Sequence, residues 1–307
     1  MTQPSAEFTN PVLDQDFPDP DVLRVGDVYY AYATNGNDSN VQAARSTDLV
    51  HWEILPDALP LRPAWAVDAF GWVWAPEVFQ PAGSADYLLY FVARYAIGQG
   101  GTQCIGIARA DSPEGPFTPI GDEPFICQVE SGGSIDPSTF VDDDGQAYLL
   151  WKNDGNSNGG QTWLYLQSLS PDGTSLEGEP VRLLTVDQTW EGVLVEAPTL
   201  WKQDGRYYLF YSANAYNDQR YAVGCAVSDA ITGPYTKLAE PILKTTIPAG
   251  IVGPGGQDIV IAPGGSTWLM FHSWAPGGYR HLRLLPLLWQ DGLPVVAPID
   301  KNPLAYP

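Results

Sequence analysis

Five stretches of this 307-residue chain repeat one pattern at a near-constant period. Set on a turn residue, they read GDVYYAYATN from Gly26, ADYLLYFVAR from Ala85, GQAYLLWKND from Gly145, GRYYLFYSAN from Gly205 and GSTWLMFHSW from Gly265. Their starts lie 59, 60, 60 and 60 residues apart. In the fourth copy a strand pattern from Thr199 meets Gln203-Asp204-Gly205 and a second strand, Tyr207 to Ser212, follows at once, which is a β-hairpin with Asp-Gly at its turn. Self-similarity of this length, with several strands in each period, points to propeller blades. Each period carries strand, tight turn, strand, turn, strand. The expected fold is therefore all-β, a five-bladed β-propeller with four antiparallel strands per blade, forming a single domain over residues 1–307. The 28 prolines and 31 glycines agree with many short strands joined by turns, and no segment sustains a 3.6-residue periodicity.

Charge and cysteine usage narrow the function. A formal net charge of -21 argues against nucleic acid, because phosphate binding needs a basic stripe and only 15 Lys and Arg are present. Most of the acidic excess is read as a solubilising surface. Cys104, Cys127 and Cys225 lack metal or redox spacing and are expected to be buried free thiols. The start, MTQPSAEFTNPVL, has neither the basic opening nor the apolar run of an export signal, and no later stretch suggests a membrane span. The expectation is a soluble chain, cytoplasmic or exported with its signal removed, without a membrane or nucleic-acid partner. Nothing in the pattern sets an oligomeric state.

The carboxylates carry the chemistry. Asp19, Glu77, Asp136, Glu196 and Asp258 each stand seven to nine residues before a repeat's turn residue. In a propeller such positions converge on the axis, so five carboxylates are expected to ring one mouth of the channel. A lone Asp-Pro is ordinarily a turn. Recurrence at one structural level is what suggests a site. The second strands return to the same mouth, bringing Asn35, Arg94, Asp154, Asn214 and Trp274, with the loops near 95–103 and 153–161 as walls. Acidic, amide, cationic and aromatic groups converging with Trp72 and Trp74 describe a sugar site, since aromatic faces stack on sugar C–H surfaces and carboxylates bind hydroxyls. Most of the eleven Trp residues must nonetheless be packing between blades.

At this point the whole chain resembles glycoside hydrolase family 43. The resemblance is carried by NPVLDQDFPDPDVLRVGDVYYAYATN, WAPEVF, SIDPSTFVDDDGQAYLLW and VEAPTLWKQDGRYYLFYSAN, in order and at blade spacing. It implies Asp19 as general base, Glu196 as general acid and Asp136 as the residue that tunes and orients the acid. Asp21 is the rival base and Glu77 the rival acid. An inverting glycosidase needs one ionised and one protonated carboxyl about 6.5–9.5 Å apart, and a third carboxylate nearby raises the acid by repulsion. The resemblance also implies that Arg280 reaches into the substrate pocket, and that His272 is a candidate ligand for a calcium ion held mainly through waters. Many members have a histidine after Gly-Pro-Gly in the fifth blade, where this chain has Gly256. His51 and His281 are expected at the surface. No organic cofactor is expected. The activity implied is exo-acting, inverting removal of terminal β-D-xylose or α-L-arabinofuranose from xylo- and arabino-oligosaccharides. Endo-α-1,5-arabinanase and a non-catalytic carbohydrate-binding propeller are the alternatives.

Overall fold

The computed structural model describes residues 7–96, 101–299, 303–305 and 307. Its five four-stranded antiparallel sheets span residues 21–55, 73–120, 134–185, 195–237 and 255–296 and form the ring of a five-bladed β-propeller. Within every sheet the strands follow chain order, so each blade is an antiparallel meander. The turn at Asp204-Gly205 shows why: both residues have positive φ, 51° and 77°, and join Gln203 directly to Arg206. That is the hairpin geometry whose twist suits the flanking strands, and Gly bears it at little cost.

The apolar core lies between the blades. The side-chain period of 2 sends neighbouring residues to opposite blade faces. Leu149 thus packs with Phe79 and Leu88 of the second blade, while Leu150 packs with Leu200 and Leu209 of the fourth. Phe210 turns the other way, towards Ile259 and Leu269 of the fifth. Strands that read as continuous hydrophobic runs are explained by this burial on both faces.

The ring closes on the amino-terminal segment. Val12 N–H donates to the Leu282 carbonyl at 3.0 Å and Phe17 N–H to that of Arg280 at 2.7 Å. Glu7–Phe8 pairs antiparallel with Leu304–Ala305. No helix among the described residues is long and apolar enough to cross a membrane.

The cysteine expectation needs correction. Cys104 and Cys127 form a disulfide across 23 residues, and only Cys225 is free and buried. The partners come from adjacent segments, the return strand of the second blade and the link to the third. Sequence spacing held no trace of that proximity. His281 is corrected as well, since it is buried with Nε2 3.1 Å from Ser273 Oγ and 3.0 Å from Arg283 Nε. His51 is exposed, as expected.

Candidate active site

The first strand of each blade begins at a repeated backbone irregularity. A left-handed residue recurs there: Asp19 (φ 53°), Ala75 (38°), Asp136 (55°), Ala197 (49°) and Gly256 (54°). In blades two to five it lies within a register shift, between Trp74 and Glu77, Ile135 and Ser138, Glu196 and Thr199, and Gly255 and Asp258. Such bulges re-aim side chains and end pairing, and aspartate tolerates the left-handed region better than most residues. The proline that follows in blades one to four suits a position with no ladder bond to donate.

All five expected carboxylates line the axial cavity, and this irregularity sorts them into two sets. Asp19 and Asp136 occupy the left-handed position, Glu196 stands one residue before it, and Glu77 and Asp258 stand two after it, level with Asp21. Glu77 Oε1 accepts from Thr139 N at 2.7 Å, Asp21 Oδ2 from Val78 N at 2.8 Å and Asp258 Oδ2 from Val22 N at 2.9 Å. These three staple the fifth blade to the first, the first to the second and the second to the third. Burial first, and then mutual repulsion, drives the Asp21 carboxyl well above its usual value and Asp258 to about 7, while burial raises Glu77. The rival base Asp21 and rival acid Glu77 therefore belong to this second layer.

A cavity of about 470 Å³ opens on the axis, lined from all five blades by residues that include Asp19, Trp74, Asp136, Glu196, Tyr216 and Arg280. Burial works against an ionised Asp19, yet Arg280 chiefly, with Thr34, holds the carboxyl below the usual range. Arg280 Nη1 lies 3.2 Å from Oδ1, and Thr34 Oγ1 donates to Oδ2 at 2.8 Å. Asp136 goes the other way, raised to about 7 by burial and then by the Glu196 charge. Its Oδ2 accepts from Ala197 N at 2.9 Å. Glu196 is bound at both oxygens, Oε2 by Lys152 Nζ at 2.9 Å and Oε1 by the Tyr221 hydroxyl at 2.8 Å. One carboxyl is thus held ionised, facing a second, Asp136, that burial and the neighbouring Glu196 charge push up.

Two aromatic groups flank the cavity. Trp74 lies against Trp72, over which the Arg94 guanidinium sits at 4.2 Å. Tyr216 stacks on Trp274, and Arg280 lies 5.0 Å from the Tyr216 ring. Tyr216, Tyr221 and Lys152 went unnoticed in the sequence. Tyr216 and Tyr221 lie in and beside an irregular loop, whereas Lys152 stands seven residues after its repeat's turn residue, as Ser212 and His272 do after theirs, a signal that could have found it. Asp154 lines the cavity and Asn214 is tied to the Trp190 and Arg220 carbonyls. The loop expected near 95–103 falls partly outside the described residues, and the one near 153–161 contains a 3-10 turn, Gly155–Asn158.

His272 is fully buried, stacked on Tyr221, and its Nδ1 accepts from Asp19 N at 3.0 Å. Burial, then Arg280, lowers it to about 3. The neutral ring accepting at Nδ1 carries its proton on Nε2, which is buried and has no partner in the protein. That nitrogen is then a donor and not a metal ligand. Among the described residues no group of three or more His, Cys, Asp or Glu is placed to hold a metal ion, and calcium seeks six to eight oxygens. The residues do not fit direct ligation. Gly256 completes the account, because a Cβ there would lie 2.7 Å from His272 Nδ1 and Cε1. A side chain at 256 and the His272 ring compete for one space.

A five-bladed propeller with an axial pocket holding one ionised carboxyl against a repelling pair has the architecture of a glycosidase. Residues 8–294 match the model of Glycosyl hydrolases family 43, and the chain belongs to that family. It is 29% identical over 282 residues to "Beta-D-galactofuranosidase xynD" of Aspergillus niger, covering 85% of this chain and 77% of that protein. It is 32% identical over 269 residues to "Xylosidase/arabinosidase 43A" of Humicola insolens, covering 73% and 75%. A solved structure of a thermostable family-43 glycoside hydrolase superposes with a TM-score of 0.85 at 31% identity, covering 95% of this chain and 96% of that one. Against other curated relatives the chain spans about half their length, 51% and 48% in two cases.

Proposed function

We propose that the chain is an exo-acting, inverting glycosidase that removes terminal β-D-xylose or α-L-arabinofuranose from xylo- and arabino-oligosaccharides. The observation that carries this reading is the electrostatic division of the pocket: Asp19 is held ionised chiefly by Arg280, with Thr34, while burial and then the Glu196 charge raise Asp136 to about 7. Asp19 takes a proton from water as the water oxygen bonds to the anomeric carbon. The bond from that carbon to the leaving oxygen breaks, and Glu196 gives its proton to that oxygen. Solvent then carries the proton on Asp19 back to Glu196, restoring the site. Asp136 orients Glu196 by tying down Ala197 N–H, the next residue in the chain. Arg280 keeps Asp19 ionised and reaches sugar hydroxyls, and Trp74 offers a stacking face.

A cavity of about 470 Å³ falls within the usual range of small-ligand pockets and supports binding of a chain end. Pentosides are favoured over hexofuranosides by the likeness to a xylosidase/arabinosidase at the higher of the two identities. The test is hydrolysis of p-nitrophenyl β-D-xylopyranoside and α-L-arabinofuranoside by wild type, Asp19→Asn and Glu196→Gln, with proton NMR of the first-formed anomer from a xylo-oligosaccharide. Turnover lost in both variants, with inverted product, is expected. Turnover of debranched arabinan without turnover of either aryl pentoside would replace the exo reading with an endo one, and no turnover of any glycoside would refute catalysis.

A further inference from the structure

In blades one, four and five a side chain at the end of the second strand serves the head of the next blade. Thr34 Oγ1 accepts from Ala75 N at 2.8 Å, Ser212 Oγ from Gly256 N at 3.0 Å, and His272 Nδ1 from Asp19 N at 3.0 Å. Register pairs Lys152 with Ile135, as His272 pairs with Gly255 and Ser212 with Glu196, so Lys152 is the third blade's member of this set. A lysine has three donors and no acceptor, so it cannot receive the Ala197 N–H. Asp136 receives that N–H instead, and the lysine is turned on Glu196.

Lys152 is 1% exposed at its side chain, with Nζ 2.9 Å from Glu196 Oε2 and 3.4 Å from Asp154 Oδ1. Because Lys152 only donates, Oε2 must present a lone pair. A protonated Glu196 therefore bears its hydrogen on Oε1. There the Tyr221 hydroxyl, 2.8 Å away, can rotate to accept it. Resting on the reading of Glu196 as general acid, we propose that Lys152 is a positioning residue: it confines the catalytic proton to Oε1, and its charge limits how many protons the Asp136–Glu196 pair holds. The charged and titratable groups facing that pair are Lys152 and Asp154 from the third blade, Asp19 from the first, Tyr221 from the fourth, and Arg280 of the fifth behind Asp19. Lys152 is held charged against burial by Glu196, Asp136 and Asp154.

The experiment compares wild type, Lys152→Met, Asp154→Asn and the double variant on aryl pentosides whose leaving phenols differ in acidity, across pH. Loss of the lysine charge should move the basic limb of kcat/KM up by about one unit or more, the size of a close charge effect. Asp154→Asn should move it down, since it removes a negative neighbour and leaves Lys152 in place. A misplaced proton should cost the phenyl glycoside at least about 10²-fold more than the nitrophenyl one, because the poorer leaving group needs the acid. The double variant guards against misfolding from an uncompensated buried Asp154 and should keep an upward shift, reduced by the loss of the Asp154 charge, together with the leaving-group effect. If Lys152→Met alone does not fold, the double variant and the opposite shift of Asp154→Asn decide. Folded variants with an unmoved limb and equal losses on all leaving groups would overturn the proposal and leave the glycosidase reading intact. Failure of wild type to hydrolyse any glycoside would overturn both.

Discussion

Gly256→Ala is the most demanding perturbation of this site, because it adds a single methyl where two constraints meet. The residue has φ 54°, in the left-handed region, where an L side chain costs about 1–2 kcal/mol. The new Cβ would lie 2.7 Å from His272 Nδ1 and 2.8 Å from Asp19 Oδ1. His272 is fully buried and stacked on Tyr221, so it has no free space to retreat into, and overpacking of this kind costs about 1–3 kcal/mol. The summed destabilisation is about 2–5 kcal/mol. The displaced ring would also drop the Asp19 N–H and shift the carboxyl that we assign to water activation. A displacement of about 1 Å there should lower kcat/KM roughly 10²-fold. Gly265→Ala is the control, for it has φ +84° and nothing within 4 Å of the added Cβ. It should lose only the backbone cost of about 1–2 kcal/mol and keep full activity. Urea unfolding and aryl-pentoside kinetics on both variants decide the matter. A Gly256→Ala enzyme as stable and as active as the Gly265→Ala one would refute the claim that a side chain at 256 competes for space with His272 and Asp19.

Replacing Cys104 and Cys127 together with serine should lower stability by about 3 kcal/mol, from the loop entropy of a 23-residue closure, and unchanged urea midpoints would exclude the crosslink as a stabiliser. Dialysis against EDTA should leave kcat/KM unchanged, since Nε2 of His272 is a donor; a loss of more than about tenfold that calcium restores would reverse that protonation assignment. Stability should fall as pH rises from 5 to 8. Asp136 and Asp258, both raised to about 7 by burial and repulsion, contribute stability fully below the ordinary value of 3.8 and lose it as pH passes the folded value. Urea midpoints at both pH values test this, and Asp258→Asn should flatten the slope; a midpoint that rises with pH would contradict the buried-carboxyl assignment.

The blades were legible because burial on both faces of every strand, with a glycine turn at each period, leaves a pattern that no other packing requires. The catalytic candidates were legible for the same reason: Asp19 and Asp136 sit at a backbone position that the chain repeats five times. What the repeat could not convey is height along the axis. Glu196, Asp136 and Glu77 stand within three positions of one another relative to the bulge, yet the bulge reverses which way successive side chains point, so a shift of one or two residues moves a carboxyl from the mouth to the staples beneath it. The disulfide between Cys104 and Cys127 was illegible because it joins adjacent segments that only the ring brings together. His281 was misjudged from its basic neighbours, although the closing amino-terminal segment covers its strand.

The two carboxylate layers divide a single electrostatic problem. An axial channel draws the heads of five strands together, and any acid placed there is desolvated. The lower layer answers with carboxyls that burial pushes up and that accept backbone N–H groups, which stiffens the ring that holds the upper one. In the upper layer cations intervene, Arg280 for Asp19 and Lys152 for Glu196, one from the start of a third strand and the other from the end of a second strand. Removing either cation should therefore shift pH dependence before it disturbs the fold, whereas removing a lower carboxyl should do the reverse. That contrast separates a pocket tuned for proton transfer from one that merely tolerates buried acids.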